Sequence, residues 1–123
     1  MQEGSKPHGH RLLEAMREEH AFTSLSHSGG LVAVAGADAA VGIDIEAMRP
    51  GRRWAEIARR TWGSTPAGEA EFYEKWTLHE ALFKARGEGL EAGTDGWLTA
   101  ALDVPPGYAG SVVLSVVLSV GDP

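Results

Sequence analysis

The stretch VGIDIE, residues 41–46, decides the fold locally because apolar and acidic side chains alternate along it. In a β-strand, successive side chains point to opposite faces of the sheet. Ile43 and Ile45 are therefore expected on one face, and Asp44 and Glu46 on the other. The stretch predicts a strand that carries two carboxylates side by side.

Two interpretations of the acidic pair are open at this point. One is a half-buried strand with a solvated outer face, since alternation of this kind is the ordinary strand pattern. The other is a site for a hard cation, because neighbouring carboxylates repel each other unless a cation or a proton lies between them, and Mg²⁺ is commonly held by one or two carboxylates. A third acid nearby would favour the cation.

Length and composition restrict the class of protein. A chain of 123 residues is long enough for one domain with a core. A net charge of -6 disfavours nucleic-acid binding, and the absence of cysteine excludes disulfides, thiolate metal sites and cysteine nucleophiles. The apolar runs are far shorter than the roughly 20 residues that span a membrane. We therefore expect a soluble cytoplasmic protein that binds neither membranes nor nucleic acid.

The chain is expected to comprise a short N-terminal segment and one domain. Residues 1–10 are polar and predict a lead-in, whereas residues 11–19 carry apolar side chains at helical spacing. The expected organisation is thus a lead and helix in residues 1–20 and a single domain in residues 21–123.

A hairpin is predicted at the start of that domain. The segments LVAVAG, residues 31–36, and AVGIDI, residues 40–45, are separated by small residues around Ala37 and Asp38. This arrangement predicts two antiparallel strands joined by a tight turn. The two carboxylates then lie late in the second strand.

Helices and further strands complete the pattern. Apolar side chains recur at helical spacing in residues 52–62 and, over a longer run, in residues 69–85, which glycines follow. Residues 97–102 and the apolar run 111–120 predict strands. Helices packed on an antiparallel sheet in this order indicate an α+β domain.

The long helix supplies a third acid. Trp76, Glu80 and Lys84 are each four residues apart and are expected on one side of the helix. By itself, a Glu–Lys pair at this spacing is also typical of an ordinary surface ion pair. In combination with Asp44 and Glu46, it favours the metal interpretation.

Four motifs together resemble the 4′-phosphopantetheinyl transferases of the Sfp-type branch. GIDIE is similar to the GxDxE strand of that family, and WTLHEALFKARGEGL, residues 76–90, is similar to its WxxKEAxxKxxGxGL helix. SLSHSGGLVAVA, residues 24–35, resembles its N-I-S-H-S-G strand entry, and GSKP, residues 4–7, resembles a G-K-P segment. The resemblance implies one half of that branch's pseudo-dimer, mainly the C-terminal half.

The resemblance also implies an activity and a site. The family moves the 4′-phosphopantetheine arm of coenzyme A onto a serine of an acyl- or peptidyl-carrier protein and releases adenosine 3′,5′-bisphosphate, with Mg²⁺ or Mn²⁺ as cofactor. Carried over by position, the metal ligands are Asp44, Glu46 and Glu80, and Glu80 and Lys84 take part in catalysis. The residues expected to contact coenzyme A are Lys6, Ser26, His27, His79 and Lys84.

The chain departs from the family pattern at His79, where the family has lysine. Histidine has a reference pKa of about 6.5, so its contact with a phosphate would be weaker than that of lysine and would depend on pH. The other interpretation is a half-buried structural histidine, because His79 shares the apolar stripe of the long helix.

The length is the larger departure, because the family site lies in a cleft between two similar halves. The small single-domain transferases assemble such a site from several copies. The resemblance therefore predicts a homo-oligomer if the chain is active. The alternative is a truncated or degenerate member that binds carrier protein or coenzyme A without catalysis.

Five arginines form a basic cluster in this acidic chain. They follow the acidic strand closely: Arg49, Arg52, Arg53, Arg59 and Arg60. Such a cluster predicts a docking surface for an acidic carrier protein, and the other interpretation is a solvated helix face.

Overall fold

The computed structural model describes residues 5–116, with side chains from residue 9 onward. The elements in chain order are α1 (Ser5–Glu19), β1 (Phe22–Ser28), β2 (Leu31–Ala37), β3 (Val41–Ala47), α2 (Trp54–Trp62), α3 (Glu69–Arg86), a turn of 3₁₀ helix (Leu90–Ala92), β4 (Trp97–Ala101) and β5 (Tyr108–Ser115). Helices packed on antiparallel sheets confirm the α+β class. Over the described part of the chain, no helix has the length and apolar character needed to cross a membrane.

The strand pairing shows that the predicted hairpin was wrong. β1 pairs with β2, and β3 pairs with β5, which in turn pairs with β4. The hairpin turn lies at Gly29 and Gly30, which have φ angles of 56° and 85° and join Ser28 directly to its partner Leu31. Two-residue turns with positive φ match the twist of antiparallel strands, so this Gly-Gly pair is a stronger hairpin signal than the residues around Ala37.

The N-terminal helix is longer than its apolar pattern predicts. α1 begins at Ser5, so residues 5–10 are helical rather than a lead-in, and residues 1–4 lie outside the described range. Gly9 is buried, and a Cβ there would lie 3.2 Å from Val32 Cγ1. The missing side chain therefore lets α1 approach β2 closely.

The two predicted central helices are confirmed. α2 and α3 both end at a glycine in the left-handed conformation, Gly63 and Gly87, as expected for helix ends. The helices meet through a cluster built around buried Ala58, Phe72 and Tyr73, with half-buried tryptophans at Trp54, Trp62 and Trp76. Trp76 thus packs against this core, whereas Phe83, near the C-terminal end of α3, is 53% exposed.

A glycine in β3 allows α3 to lie directly on the sheet. A Cβ at Gly42 would lie 1.9 Å from the carbonyl oxygen of Ala81, which is far inside van der Waals contact. Further along, Thr77 Oγ1 and Ser111 Oγ form a buried hydrogen bond of 2.8 Å between α3 and β5. This packing turns the face of β3 that carries Asp44 toward α3.

An open apolar cavity lies beside the strands. Its volume is about 490 Å³, and residues of β2, β3, β4 and β5 line it together with Met16 of α1. Leu98 in this lining is 61% exposed. The apolar run 111–120 enters β5, while its residues 117–120 lie outside the described range.

Candidate active site

The carboxylate of Asp44 lies at the junction of β3, β1 and α3. Asp44 is only 6% exposed, and its Oδ1 accepts hydrogen bonds from Lys84 Nζ at 3.2 Å and from Ser26 Oγ at 3.3 Å. Its Oδ2 is buried and has no hydrogen-bond partner within residues 5–116. The interpretation of a solvated outer face is therefore wrong for Asp44.

Burial raises the pKa of Asp44 from 3.8 to about 6. The nearby ammonium of Lys84 acts in the opposite direction, and the negative charges of Glu46 and Glu80 raise the pKa further. The fold thus brings the acids of β3 and α3 within electrostatic range of one another. Such an accumulation of negative charge favours either a proton or a cation.

Glu46 has an ion-pair partner that sequence reasoning missed. Its Oε2 lies 3.8 Å from Arg52 Nη1, and the Arg52 guanidinium lies 5.6 Å from the centre of the Tyr73 ring. Arg52 therefore differs from the other arginines of the cluster, because it faces the acidic strand.

Lys84 connects three elements. Its Nζ donates to the carbonyl oxygen of Ile43 at 2.8 Å, to that of Leu25 at 3.2 Å and to Asp44 Oδ1 at 3.2 Å. An ammonium has three protons, so these bonds use its full donor capacity. The predicted catalytic lysine is thus placed beside Asp44 and also joins α3 to β1 and β3.

Two further predicted coenzyme contacts, Ser26 and His27, differ in their exposure to solvent. Ser26 is buried against Asp44, whereas His27, the next residue of β1, is exposed. Lys6 lies in the first turn of α1, and its side chain is outside the described part. Their roles toward coenzyme A stay predictions.

His79 lies in the aromatic cluster between α2 and α3. Its ring stacks on Trp76 and meets Trp62 edge-on, both at 5.7 Å between centroids. Its Nδ1 accepts a hydrogen bond of 3.1 Å from the Leu90 N–H. These contacts support the interpretation of His79 as a structural histidine, and its role toward coenzyme A stays a prediction.

The donor set suits a hard cation, although the carboxylates are not gathered around one point. Oxygen ligands favour Mg²⁺ or Mn²⁺, and the buried Oδ2 of Asp44 has no hydrogen-bond partner in the described part of the chain. Within residues 5–116, no group of three or more His, Asp or Glu side chains is close enough together to hold a metal. A cation shared by Asp44, Glu46 and Glu80 therefore requires these carboxylates to move closer.

Two features of the site have recognisable patterns in the sequence that the sequence analysis did not interpret. Serines alternate at positions 24, 26 and 28, and all three hydroxyls bond to β3. Gly42 interrupts an apolar strand, which is a typical sign of close backbone approach. Apart from the positive charge of Arg52, nothing in the sequence around it indicates an ion pair with Glu46.

Comparisons with known proteins point to one family. The model of the 4′-phosphopantetheinyl transferase superfamily matches residues 40–112, which include β3, α2, α3 and β4. A 4′-phosphopantetheinyl transferase of Bacillus subtilis is 29% identical over 102 residues, which cover 75% of the chain and 44% of the relative. The chain therefore spans less than half the length of that relative.

Proposed function

Because the chain belongs to the 4′-phosphopantetheinyl transferase superfamily, as the motifs predicted, we propose that it transfers the 4′-phosphopantetheine arm of coenzyme A. The acceptor is a serine of an acyl- or peptidyl-carrier protein, and the second product is adenosine 3′,5′-bisphosphate. The proposed cofactor is Mg²⁺, which Mn²⁺ can replace. The expected cytoplasmic location stays a prediction.

The observation that supports the proposal most directly is the burial of the Asp44 carboxylate near other acids. An ionised carboxylate buried near two further acids, with no hydrogen bond to its Oδ2 from the described residues, is costly even beside the Lys84 ammonium, so a proton or a metal cation would stabilise it. Asp44, Glu46 and Glu80 are the residues that would hold the metal. When bound, Mg²⁺ supplies stabilisation of the negative charge that develops on the diphosphate oxygens.

The protein residues have separate tasks in this proposal. Glu80 accepts the proton of the carrier serine as that hydroxyl attacks the β-phosphorus of coenzyme A. The bond between this phosphorus and the bridging oxygen of the diphosphate breaks, and adenosine 3′,5′-bisphosphate leaves with that oxygen. Lys84 holds Asp44 Oδ1, and because its three protons are already used, it acts on the diphosphate through its positive charge rather than through a hydrogen bond. These two roles are typical of enzymes that transfer phosphoryl groups, because positioning and electrostatic stabilisation provide most of the catalysis in such reactions.

Incubation with coenzyme A, Mg²⁺ and a panel of apo carrier proteins tests the activity, with intact mass as the measurement. We expect one carrier to gain a phosphopantetheine arm, and we expect chelation of the metal to prevent the gain. Glu80→Gln should lower the rate by at least about 100-fold, because it removes the proposed base. No gain on any carrier would refute the proposed transfer.

We also propose that the active form is a homo-oligomer. The matched region covers 44% of the relative, and in this proposal a second copy of the chain supplies the other wall of the cleft. The open apolar cavity beside β2 and β4 is consistent with an additional subunit contact.

The second candidate is a protein that binds coenzyme A or a carrier protein without transfer. The placement of His79 favours it, because the residue at the family's lysine position is engaged with Leu90 and two tryptophans. Calorimetric binding of coenzyme A, together with unchanged carrier mass, would favour this candidate over the transferase.

A further inference from the structure

Strand β1 is attached to β3 through side chains. The hydroxyls of Ser24, Ser26 and Ser28 accept hydrogen bonds from backbone N–H groups of β3, at 3.0, 3.0 and 2.9 Å. The donors are, in the same order, Ile43, Ile45 and Ala47. We call these three serines the serine ladder. Both strands run in the same direction along the ladder, because the residue numbers rise together.

The serine ladder determines how β1 is aligned with β3. Side chains on one side of a strand recur at every second residue, as do the N–H groups on one edge of its neighbour. Three hydroxyls therefore match three N–H groups in one alignment. A shift by one residue would place Leu25 and His27 opposite these N–H groups instead.

Ser26 differs from the other members of the ladder by a second hydrogen bond. Its hydroxyl donates to Asp44 Oδ1 while it accepts from the Ile45 N–H. A serine hydroxyl has one proton, so this proton is no longer available to a phosphate, which can only accept. The neighbouring Lys84 Nζ bonds to the same Oδ1.

We propose that Ser26 is a positioning residue for Asp44 and that the serine ladder aligns β1 so that Ser26 reaches it. Ser26 and Lys84 together fix Oδ1, which leaves Oδ2 as the free oxygen of the carboxylate. This role replaces the coenzyme contact that the family resemblance implies for Ser26. It rests on the proposed function only where metal binding is concerned.

A double-mutant cycle tests the contact without metal or coenzyme. Asp44→Ala is combined with Ser26→Ala and, as the matched control, with Ser24→Ala, which belongs to the same ladder but forms no hydrogen bond with Asp44 among the described residues. We expect the unfolding equilibrium to show a coupling of about fivefold or more for Ser26 and additive effects for Ser24. Additive effects for both serines would overturn the proposal.

Amide hydrogen exchange of the full chain tests the ladder itself in the single variants. Ser24→Ala, Ser26→Ala and Ser28→Ala should each accelerate exchange at their own partner, by about fivefold. The expected amides are those of Ile43, Ile45 and Ala47, respectively. Equal effects on all three amides in every variant would contradict an alignment set by individual serines.

Binding measurements connect the contact to the site. The probes are Mn²⁺ alone and adenosine 3′,5′-bisphosphate alone. We expect Ser26→Ala to weaken Mn²⁺ binding by about tenfold or more while nucleotide affinity is unchanged, and Ser24→Ala to change neither. Weaker nucleotide binding with unchanged Mn²⁺ affinity would overturn the positioning role. If the unmodified chain binds no Mn²⁺, the metal part of the proposed function fails, and the double-mutant cycle alone decides the role of Ser26.

Discussion

At the scale of single residues, the environment of Asp44 shows how one carboxylate can be costly to the fold and useful to the site. Its neighbours include one ammonium and two acids, and its Oδ2 has no hydrogen bond within the described residues. A group in this situation reduces stability when ionised, and neutralisation by a proton or a cation removes this cost. The ionisation of Asp44 should therefore make the stability of the fold depend on pH.

Asp44 should make the metal-free chain less stable as pH rises. Its folded-state pKa of about 6 lies above the reference of 3.8, so its stabilising contribution is complete below pH 3.8 and is lost as pH rises to 6. Denaturant unfolding with a chelator present should therefore show that Asp44→Asn gains stability relative to the unmodified chain across this range. Asp38→Asn, at an exposed position, controls for the change in net charge. If the stability difference between Asp44→Asn and the unmodified chain does not vary with pH, the pKa of Asp44 is not raised.

His79→Lys should lower the free energy of unfolding by about 1 kcal/mol, because lysine has no acceptor for the Leu90 N–H. His27→Lys makes the same change at an exposed position and should have little effect on stability. The variant also tests the coenzyme role of His79. Tighter coenzyme A binding by His79→Lys would support a phosphate contact at this position, whereas unchanged affinity would support the structural role alone.

At the scale of elements, the contact between α3 and β3 depends on one missing side chain. Gly42→Ala would place a methyl group against the Ala81 carbonyl oxygen, which belongs to the helix backbone and cannot rotate away. We expect a loss of about 3 kcal/mol or more in unfolding experiments. Gly68→Ala is the matched control, because a Cβ there meets no atom within 4 Å and its φ of -169° suits any residue. Equal losses of unfolding free energy in the two variants would show that the close approach of α3 to Gly42 is not the cause of the loss.

We expect a carrier protein to dock on the exposed arginines of α2. Arg59 and Arg60 are exposed in its last turn, whereas Arg52 is engaged with Glu46. Reversal of both exposed charges, Arg59→Glu with Arg60→Glu, should raise the KM for an acidic carrier by about tenfold at low salt and leave the KM for coenzyme A unchanged. Arg17→Glu, in the last turn of α1, controls for net charge. An equal effect of Arg17→Glu would show that only the overall charge matters.

At the scale of the whole molecule, the relative is more than twice as long as the part that this chain matches, and we propose that a second copy of the chain completes the site. Light scattering after size exclusion should give a mass of at least two chains. Leu98→Asp, at a 61% exposed position beside the apolar cavity, should reduce this mass, and Leu12→Asp on α1 should not. A monomer that fails to bind coenzyme A would refute the oligomer and favour an inactive remnant.

Local periodicity accounts for the parts of the protein that the sequence by itself determined. The alternation in VGIDIE separated Asp44 and Glu46 from Ile43 and Ile45, and helical spacing located α2 and α3 with nearly correct ends. These features depend on neighbours within a few residues, so they can be read along the chain.

Only the tertiary structure decided which strands pair and which groups surround Asp44. β3 pairs with β5 rather than β2, Ser26 bonds to a carboxylate 18 residues away, and Lys84 reaches back 40 residues to the same group. The physical reason is that these contacts join segments that are distant in the chain, where spacing carries no information about distance in space. The acidic strand was therefore recognisable from its sequence, whereas the burial of Asp44, its raised pKa and its hydrogen bond with Ser26 depend on the folded arrangement.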